Sequence, residues 1–197
     1  MSQPEKPLRV ILVDRSSGRA AILERALADQ GYDVIARLGE GDDVLEAVRR
    51  RQPDIVLIDM DLPDRDTLES LRMLNQKLPR PVVMFAGESD EDLITAAVRA
   101  GVSAYVVDGL DPRRLKPIMD VAIARFREYQ ALRNELEETR GKLADRKDID
   151  KAKAILMRQK GISEEAAYAA LRKLAMDRNQ KIGEVARMLI AAAELLR

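Results

Sequence analysis

Cysteine, histidine and tryptophan are all absent from the 197-residue sequence. Without cysteine there is no disulfide, no thiol nucleophile and no zinc site built on thiolates. Without histidine the commonest general base and the usual transition-metal ligand are missing, and a Ser-His-Asp triad is impossible. Chemistry is left to carboxylates, Lys and Arg, hydroxyls, or a hard ion such as Mg²⁺. Phe85 and Phe126 are the two phenylalanines, which argues against the aromatic stacking platforms of many single-strand binders. No apolar run approaches the roughly 20 residues of a membrane span. The opening MSQPEKPLRVILVD has no signal-peptide pattern, because its short apolar run leads straight into an acid. These absences predict a cytoplasmic protein with no membrane partner.

What is present is a chain that can build a core. Hydrophobic residues make up 46% and charged residues 35%, the balance of a globular protein. The net charge of zero hides an asymmetry: 17 basic against 22 acidic residues up to position 120, and 17 against 12 beyond it. An acidic first part and a basic second part predict two units, the second able to meet a polyanion.

In the first part, apolar runs alternate with helical patterns. Leu8–Asp14, Tyr32–Arg37, Ile55–Asp59, Pro81–Phe85 and Ala104–Asp108 read as strands. Between them lie helices over about 20–27, 42–51, 66–77 and 90–100, with Ser16 or Ser17 as a cap for the first and another helix beginning near Pro112. Five βα units imply a parallel sheet covered on both faces, and the flavodoxin-like order 2-1-3-4-5 is the natural topology. Asp14, Asp59 and Asp108 each end a strand. Acids often follow strands as caps or turn residues. Three together, with Asp61 and Pro63 just beyond, predict an acidic pocket at the carboxyl edge of the sheet.

Over residues 8–125 the sequence resembles a response-regulator receiver domain, through Ile58-Asp59-Met60-Asp61-Leu62-Pro63, Pro81-Val-Val-Met-Phe85 and Ala100-Gly-Val-Ser-Ala-Tyr-Val-Val107. The resemblance makes Asp59 the equivalent of the aspartate that accepts a phosphoryl group. It departs from the family where two adjacent metal-holding acids are replaced by Asp14 and Arg15, the Ser/Thr after strand four by Ala86, and the Lys after strand five by Asp108. Phosphoryl transfer needs positive charge to offset what develops on the transferring group. Two placements of Arg15 fit: in the metal region, paired with Asp59 or Asp108, or out in solvent. No cofactor is expected, Mg²⁺ being in question and held, if at all, by Asp14 and Asp59. The reading is a pseudo-receiver, residues 1–120, serving docking and dimerisation rather than phosphotransfer enzymology.

The helix starting near Leu115 has no Gly or Pro from Ile118 to Arg140. Leu115, Ile118, Ala122, Tyr129, Leu132, Leu136 and Leu143 follow alternating three- and four-residue spacing, interrupted by Arg125 and Thr139 and flanked by charges. This predicts an imperfect coiled coil of about three heptads, a linker over 121–144, and a parallel homodimer. A single amphipathic helix packed on its own chain is the alternative.

Residues 145–197 read as three helices: about Asp148 to Lys160 with Gly161 at its end, a second capped by Ser163, and a third carrying Ile182, Val185, Ala186, Leu189 and Ile190. Ala152-Lys153-Ala-Ile-Leu156-Met157, Gly161-Ile-Ser163-Glu164-Glu165-Ala166, Leu171-Arg172-Lys173-Leu-Ala175-Met176 and Ile182-Gly-Glu-Val185-Ala186 resemble an ANTAR domain. With this degenerate receiver, including Val83-Met-Phe-Ala86 and Tyr105-Val-Val-Asp-Gly109, the whole is similar to the NasT-type regulators of nitrate and nitrite assimilation.

The resemblance implies a transcription antiterminator that binds leader-mRNA hairpins as a dimer, controlled by a nitrate-binding sensor protein that sequesters it. Lys153, Arg158, Arg172, Lys173, Met176, Arg178 and Asn179 are the expected RNA-contact residues. By charge alone the region is only mildly basic, 12 basic against 8 acidic residues over 145–197, and a solvated helical face would look similar. The alternative function is a DNA-binding response regulator controlled by phosphorylation of Asp59. Lys181–Arg187 resembles the first helix of some helix-turn-helix motifs, but the residues after it do not form a basic recognition helix.

Overall fold

The computed structural model describes residues 6–14, 20–87, 91–107 and 112–195. Arg15, Asp108 and the proposed caps Ser16 and Ser17 lie outside the described residues. The chain divides into two compact units, Met1–Tyr129 and Gln130–Arg197.

The first unit is a five-stranded parallel sheet in the order β2-β1-β3-β4-β5. Its strands are β1 (Arg9–Asp14), β2 (Asp33–Leu38), β3 (Ile55–Met60), β4 (Val82–Ala86) and β5 (Ala104–Val107). Both faces of β1, β3 and β4 are buried, which is why these strands read as continuous apolar runs. Alternate residues serve opposite sides. Val10, Leu12, Ile55, Leu57, Val83 and Phe85 pack with Leu23 and Leu27 of α1 (Ala20–Asp29) and with Leu115, Met119 and Ala122 of α5 (Pro112–Lys160). Ile11, Val13, Val56, Ile58 and Met84 pack with α2 (Val44–Arg51), α3 (Arg65–Lys77) and α4 (Glu91–Ala100). Ile22, expected on the core face of α1, is instead 64% exposed.

Helix starts follow side-chain chemistry. Asp43 accepts from the Glu46 amide at 3.1 Å and Asp64 from the Thr67 amide at 2.7 Å, each satisfying an orphan donor of the first turn. Glu46 also receives Arg49 at 2.8 Å and Arg50 at 2.6 Å. These two hydrogen-bonded guanidiniums hold its carboxyl down at about 2.

Helix α5 runs 49 residues without a break. The separate helix expected from about Asp148 is its continuation. Gly141, the weak point, costs about 1 kcal/mol of helix propensity, and a Cβ there would meet nothing, so neither packing nor backbone demands a stop.

In the second unit, Ala152, Ile155 and Leu156 of α5 pack with Ala167, Leu171 and Ala175 of α6 (Glu164–Asp177) and Val185, Ala186 and Ile190 of α7 (Ile182–Leu195). Ser163 caps α6, accepting from the Ala166 amide at 3.2 Å, and Gly161 takes the left-handed φ of 63° after α5. The alanines allow close helix approach between the larger Ile155, Leu156, Leu171, Val185 and Ile190. At Gly183 the approach is closest: a Cβ would overlap the Asp145 carboxylate. That carboxylate also receives Arg187 at 2.7 Å, and Arg187 reaches Asp148 at 3.3 Å. Gly183→Ala should therefore displace Asp145 and destabilise by about 1–3 kcal/mol. In thermal melts, Asp145→Ala combined with Gly183→Ala should cost less than the two single changes added together; strict additivity would show that the carboxylate is not what Gly183 accommodates.

Candidate functional site

The acidic pocket begins with register. Asp14 and Asp59 are paired residues at the carboxyl ends of neighbouring parallel strands. Both are buried, at 5% and 3% exposure. Asp61 lies exposed on the following loop, where Gly87 approaches it: the Gly87 amide donates to the Asp61 carbonyl at 3.1 Å, and a Cβ on Gly87 would come within 3.4 Å of Asp61 Oδ1. Ala86 is buried opposite Met60. Arg37, from β2, brings a guanidinium nitrogen 3.8 Å from Asp14 Oδ2. Sequence reasoning missed Arg37; a lone arginine in an alternating edge strand carries no motif, and only the β2–β1 pairing aims it at Asp14.

In the second unit the expected contact residues fall into three places. Lys153 is 15% exposed and bonds to both Asp150 and Glu164 at 2.7 Å. Its hydrogen bonds to Asp150, then to Glu164, hold the ammonium above the ordinary lysine range, and Asp150 is lowered in turn. Its position is that of a tie between α5 and α6. Arg158, with Lys151 seven residues earlier on the same helical face, lines a groove between α5 and α7 with Ala154, Ile155 and Ala193. Arg172, Lys173 and Met176 are exposed on the outer arc of α6, opposite buried Leu171 and Ala175. Arg178 follows at the helix end, with a guanidinium nitrogen 4.0 Å from Met188 Sδ. Asn179 has φ 51°, and the amides of Asn179 and Gln180 donate to Met176 and Ala175 carbonyls at 3.1 and 3.0 Å. Asn179 thus closes α6 in a left-handed cap.

The receiver domain family of response regulators matches residues 10–120, and the ANTAR domain family matches residues 137–190. The chain belongs to the response regulator receiver family. It is 29% identical over 184 residues to the transcriptional regulatory protein PdtaR of Mycobacterium tuberculosis H37Rv, covering 93% of this chain and 90% of that protein. It is 32% identical over 126 residues to the DNA-binding transcriptional regulator NtrC of Escherichia coli K12, covering 64% of this chain but 27% of the relative. A two-component response regulator of the LuxR family from Aurantimonas sp. SI85-9A1 matches in structure with a TM-score of 0.53 at 26% identity, covering 60% of this chain and 86% of that one. A CheY-like receiver protein from Methanospirillum hungatei JF-1 gives 0.54 at 21% identity, covering 62% and 98%. A receiver joined to an ANTAR domain is a regulatory, non-enzymatic arrangement.

In sequence the pocket departs from the donor set that its fold family uses for Mg²⁺. Among the described residues no group of three or more carboxylates is gathered to hold an ion. Asp14 sits beside Asp59 and also meets the Arg37 guanidinium at 3.8 Å, and the neighbouring acid of the family pattern is Arg15 in this sequence. Ala86 offers no hydroxyl to a phosphoryl oxygen. Incubation with Mg²⁺ and acetyl phosphate, read by intact mass, should leave Asp59 unmodified. Stoichiometric addition of one phosphoryl group per chain would overturn this reading of the pocket.

Proposed function

We propose that the chain is a transcription antiterminator that binds leader-RNA hairpins as a dimer through its ANTAR domain. The observation carrying this reading is the joint match of receiver and ANTAR domains along nearly the whole length of a transcriptional regulator. The exposed Arg172, Lys173 and Arg178 supply phosphate-binding charge. The NtrC similarity covers only 27% of that protein and carries no support for a DNA-binding output. The target genes proposed are those of nitrate and nitrite assimilation, with a nitrate-binding sensor protein sequestering the regulator. Support for that step is the likeness of Val83-Met-Phe-Ala86 and Tyr105-Val-Val-Asp-Gly109 to such regulators.

A gel shift comparing a two-hairpin leader RNA with a promoter duplex tests the output. RNA should be preferred; preference for duplex DNA over every hairpin tried sinks the reading. Arg172→Ala should weaken RNA binding and lower the salt slope by about one unit.

The dimer rests on α5. Leu115 and Ala122 are buried in the receiver, but Tyr129, Leu132, Leu136 and Leu143 are 50–57% exposed. With Tyr129, Leu136 and Leu143 at a positions and Leu132 at d, Glu128 and Glu135 are g residues, and Arg133 and Arg140 are e residues. A parallel in-register pair sets Glu128 against Arg133, and Glu135 against Arg140, of the second copy. An antiparallel pair sets like charges together. Lys142 against Lys147 is the one unfavourable parallel match. Glu135→Lys should weaken dimerisation by on the order of tenfold, and adding Arg140→Glu should restore it. Sedimentation equilibrium reads both; a wild-type monomer at micromolar concentration, with and without RNA, removes the dimer.

A further inference from the structure

We propose that Tyr168 is a stacking surface for one unpaired base of the bound RNA, an inference that rests on the RNA-binding reading and deepens it. Tyr168 is the sole aromatic residue after Tyr129. The second unit fills its core with four alanines beside Ile155, Leu156, Leu171, Val185 and Ile190, with no aromatic ring among them. It instead leaves its single ring outside that core, 45% exposed. Among the described residues the Tyr168 hydroxyl makes no hydrogen bond that would explain its place.

The surroundings suit a nucleotide. Arg172 lies one turn further along the same side of α6, and Met176, 71% exposed, one turn beyond that. The turn before Tyr168 holds Glu164 and Glu165; the Glu164 carboxylate is drawn to Lys153 at 2.7 Å, an ammonium it shares with Asp150. Ala169 adds no bulk next to the ring. A flat face with a guanidinium one turn away and a polarizable thioether beyond fits a base with its flanking phosphate. An unpaired hairpin-loop base offers its face in that way, whereas bases inside a stem do not. A purine, with the larger face, is the preferred occupant. The low aromatic content excludes a platform of several bases, but one ring on an otherwise polar surface anchors one base.

The test uses the full chain, a two-hairpin RNA with purine-containing loops, and versions of that RNA with each loop purine replaced in turn by an abasic sugar. Tyr168→Ala should weaken binding about tenfold, in line with single base–aromatic stacks. Tyr168→Phe should bind as wild type does. At one loop position, abasic RNA should bind wild type and Tyr168→Ala equally. The salt slope should be unchanged in Tyr168→Ala and shallower in Arg172→Ala. Tyr168→Trp installs the only tryptophan in the chain, and its fluorescence should be quenched by the hairpin RNA but not by the matching abasic RNA.

If Tyr168→Ala loosens the bundle, as circular dichroism would reveal, Tyr168→Leu keeps apolar bulk without the flat ring and decides the matter. Wild-type affinity in the folded variant, at an RNA that Arg172→Ala has lost, overturns the stacking role and leaves the antiterminator reading standing. Failure of the wild-type chain to bind any hairpin overturns both.

Discussion

A 49-residue helix that contributes to two cores cannot hide its apolar stripe along its whole length. At its start Leu115, Met119 and Ala122 are fully buried against the sheet, and near its end Ala152, Ile155 and Leu156 are buried against α6 and α7. Between them Tyr129, Leu132, Leu136 and Leu143 keep the same three-four rhythm while more than half of each side chain's reference surface, or nearly so, meets water. Leaving such side chains exposed forgoes about 1.5–3 kcal/mol for each that could be fully buried. A seam of this spacing with opposite charges at its flanks is what a second copy of the helix would cover. The dimer proposed above would answer that exposure, and the length of α5 is what creates it.

Charge is arranged by a similar logic of pairing. In the receiver, parallel register forces Asp14 and Asp59 together, a repulsive arrangement inside a protein unless a cation is near. Arg37 contributes one from the adjacent strand; at 3.8 Å and nearly half exposed it is a modest partner, screened by solvent. In the ANTAR domain the same sorting separates structural from available cations. Lys153 is held by two carboxylates, Lys151 by Glu194, and Arg187 by Asp145 and Asp148. Arg172, Lys173 and Arg178 lie on the other side of that division, exposed along α6 and its end. Net charge, only mildly positive over this region, is a poor guide to a polyanion surface when some of the cations are already paired with carboxylates.

Much of the fold was legible because its signals are local. Buried parallel strands show as Val10–Val13 and Ile55–Ile58, a cap as Ser163, and a helix end as Gly161. The strand order followed from crossover handedness. What escaped is what tertiary pairing alone decides. Arg37 reaches the pocket only through the β2–β1 register. Lys153 shares a helix with Asp150, but its second partner, Glu164, comes from the next helix. Asn179, expected among the RNA contacts, also has the positive φ of a helix cap, which its place in the sequence did not announce. Gly183 looked like part of a family word; the Asp145 carboxylate lying over it gives a packing reason for the missing side chain. Tyr168 escaped for the opposite reason: a composition argument about scarce aromatics discouraged attention to the exposed ring of α6.

The receiver and the seam are joined by covalent continuity of α5, and this narrows how control can work in the proposed regulator. A phosphoryl group would act by adding charge at Asp59, yet the pocket holds an internal guanidinium and lacks the hydroxyl that would bind the modified state. A partner protein needs no such chemistry. It shifts an equilibrium only by binding one state better than the other. A partner that covers the Tyr129–Leu143 stripe on a single copy occupies the surface that the second copy requires, so its binding and dimerisation are mutually exclusive by geometry. A ligand that weakens the partner then releases the dimer without touching either domain. For the regulator to pass from 1:99 to 99:1, the difference in affinity must approach about 10⁴. A stripe of four large side chains flanked by complementary charges is an interface on which a difference of that size can be built.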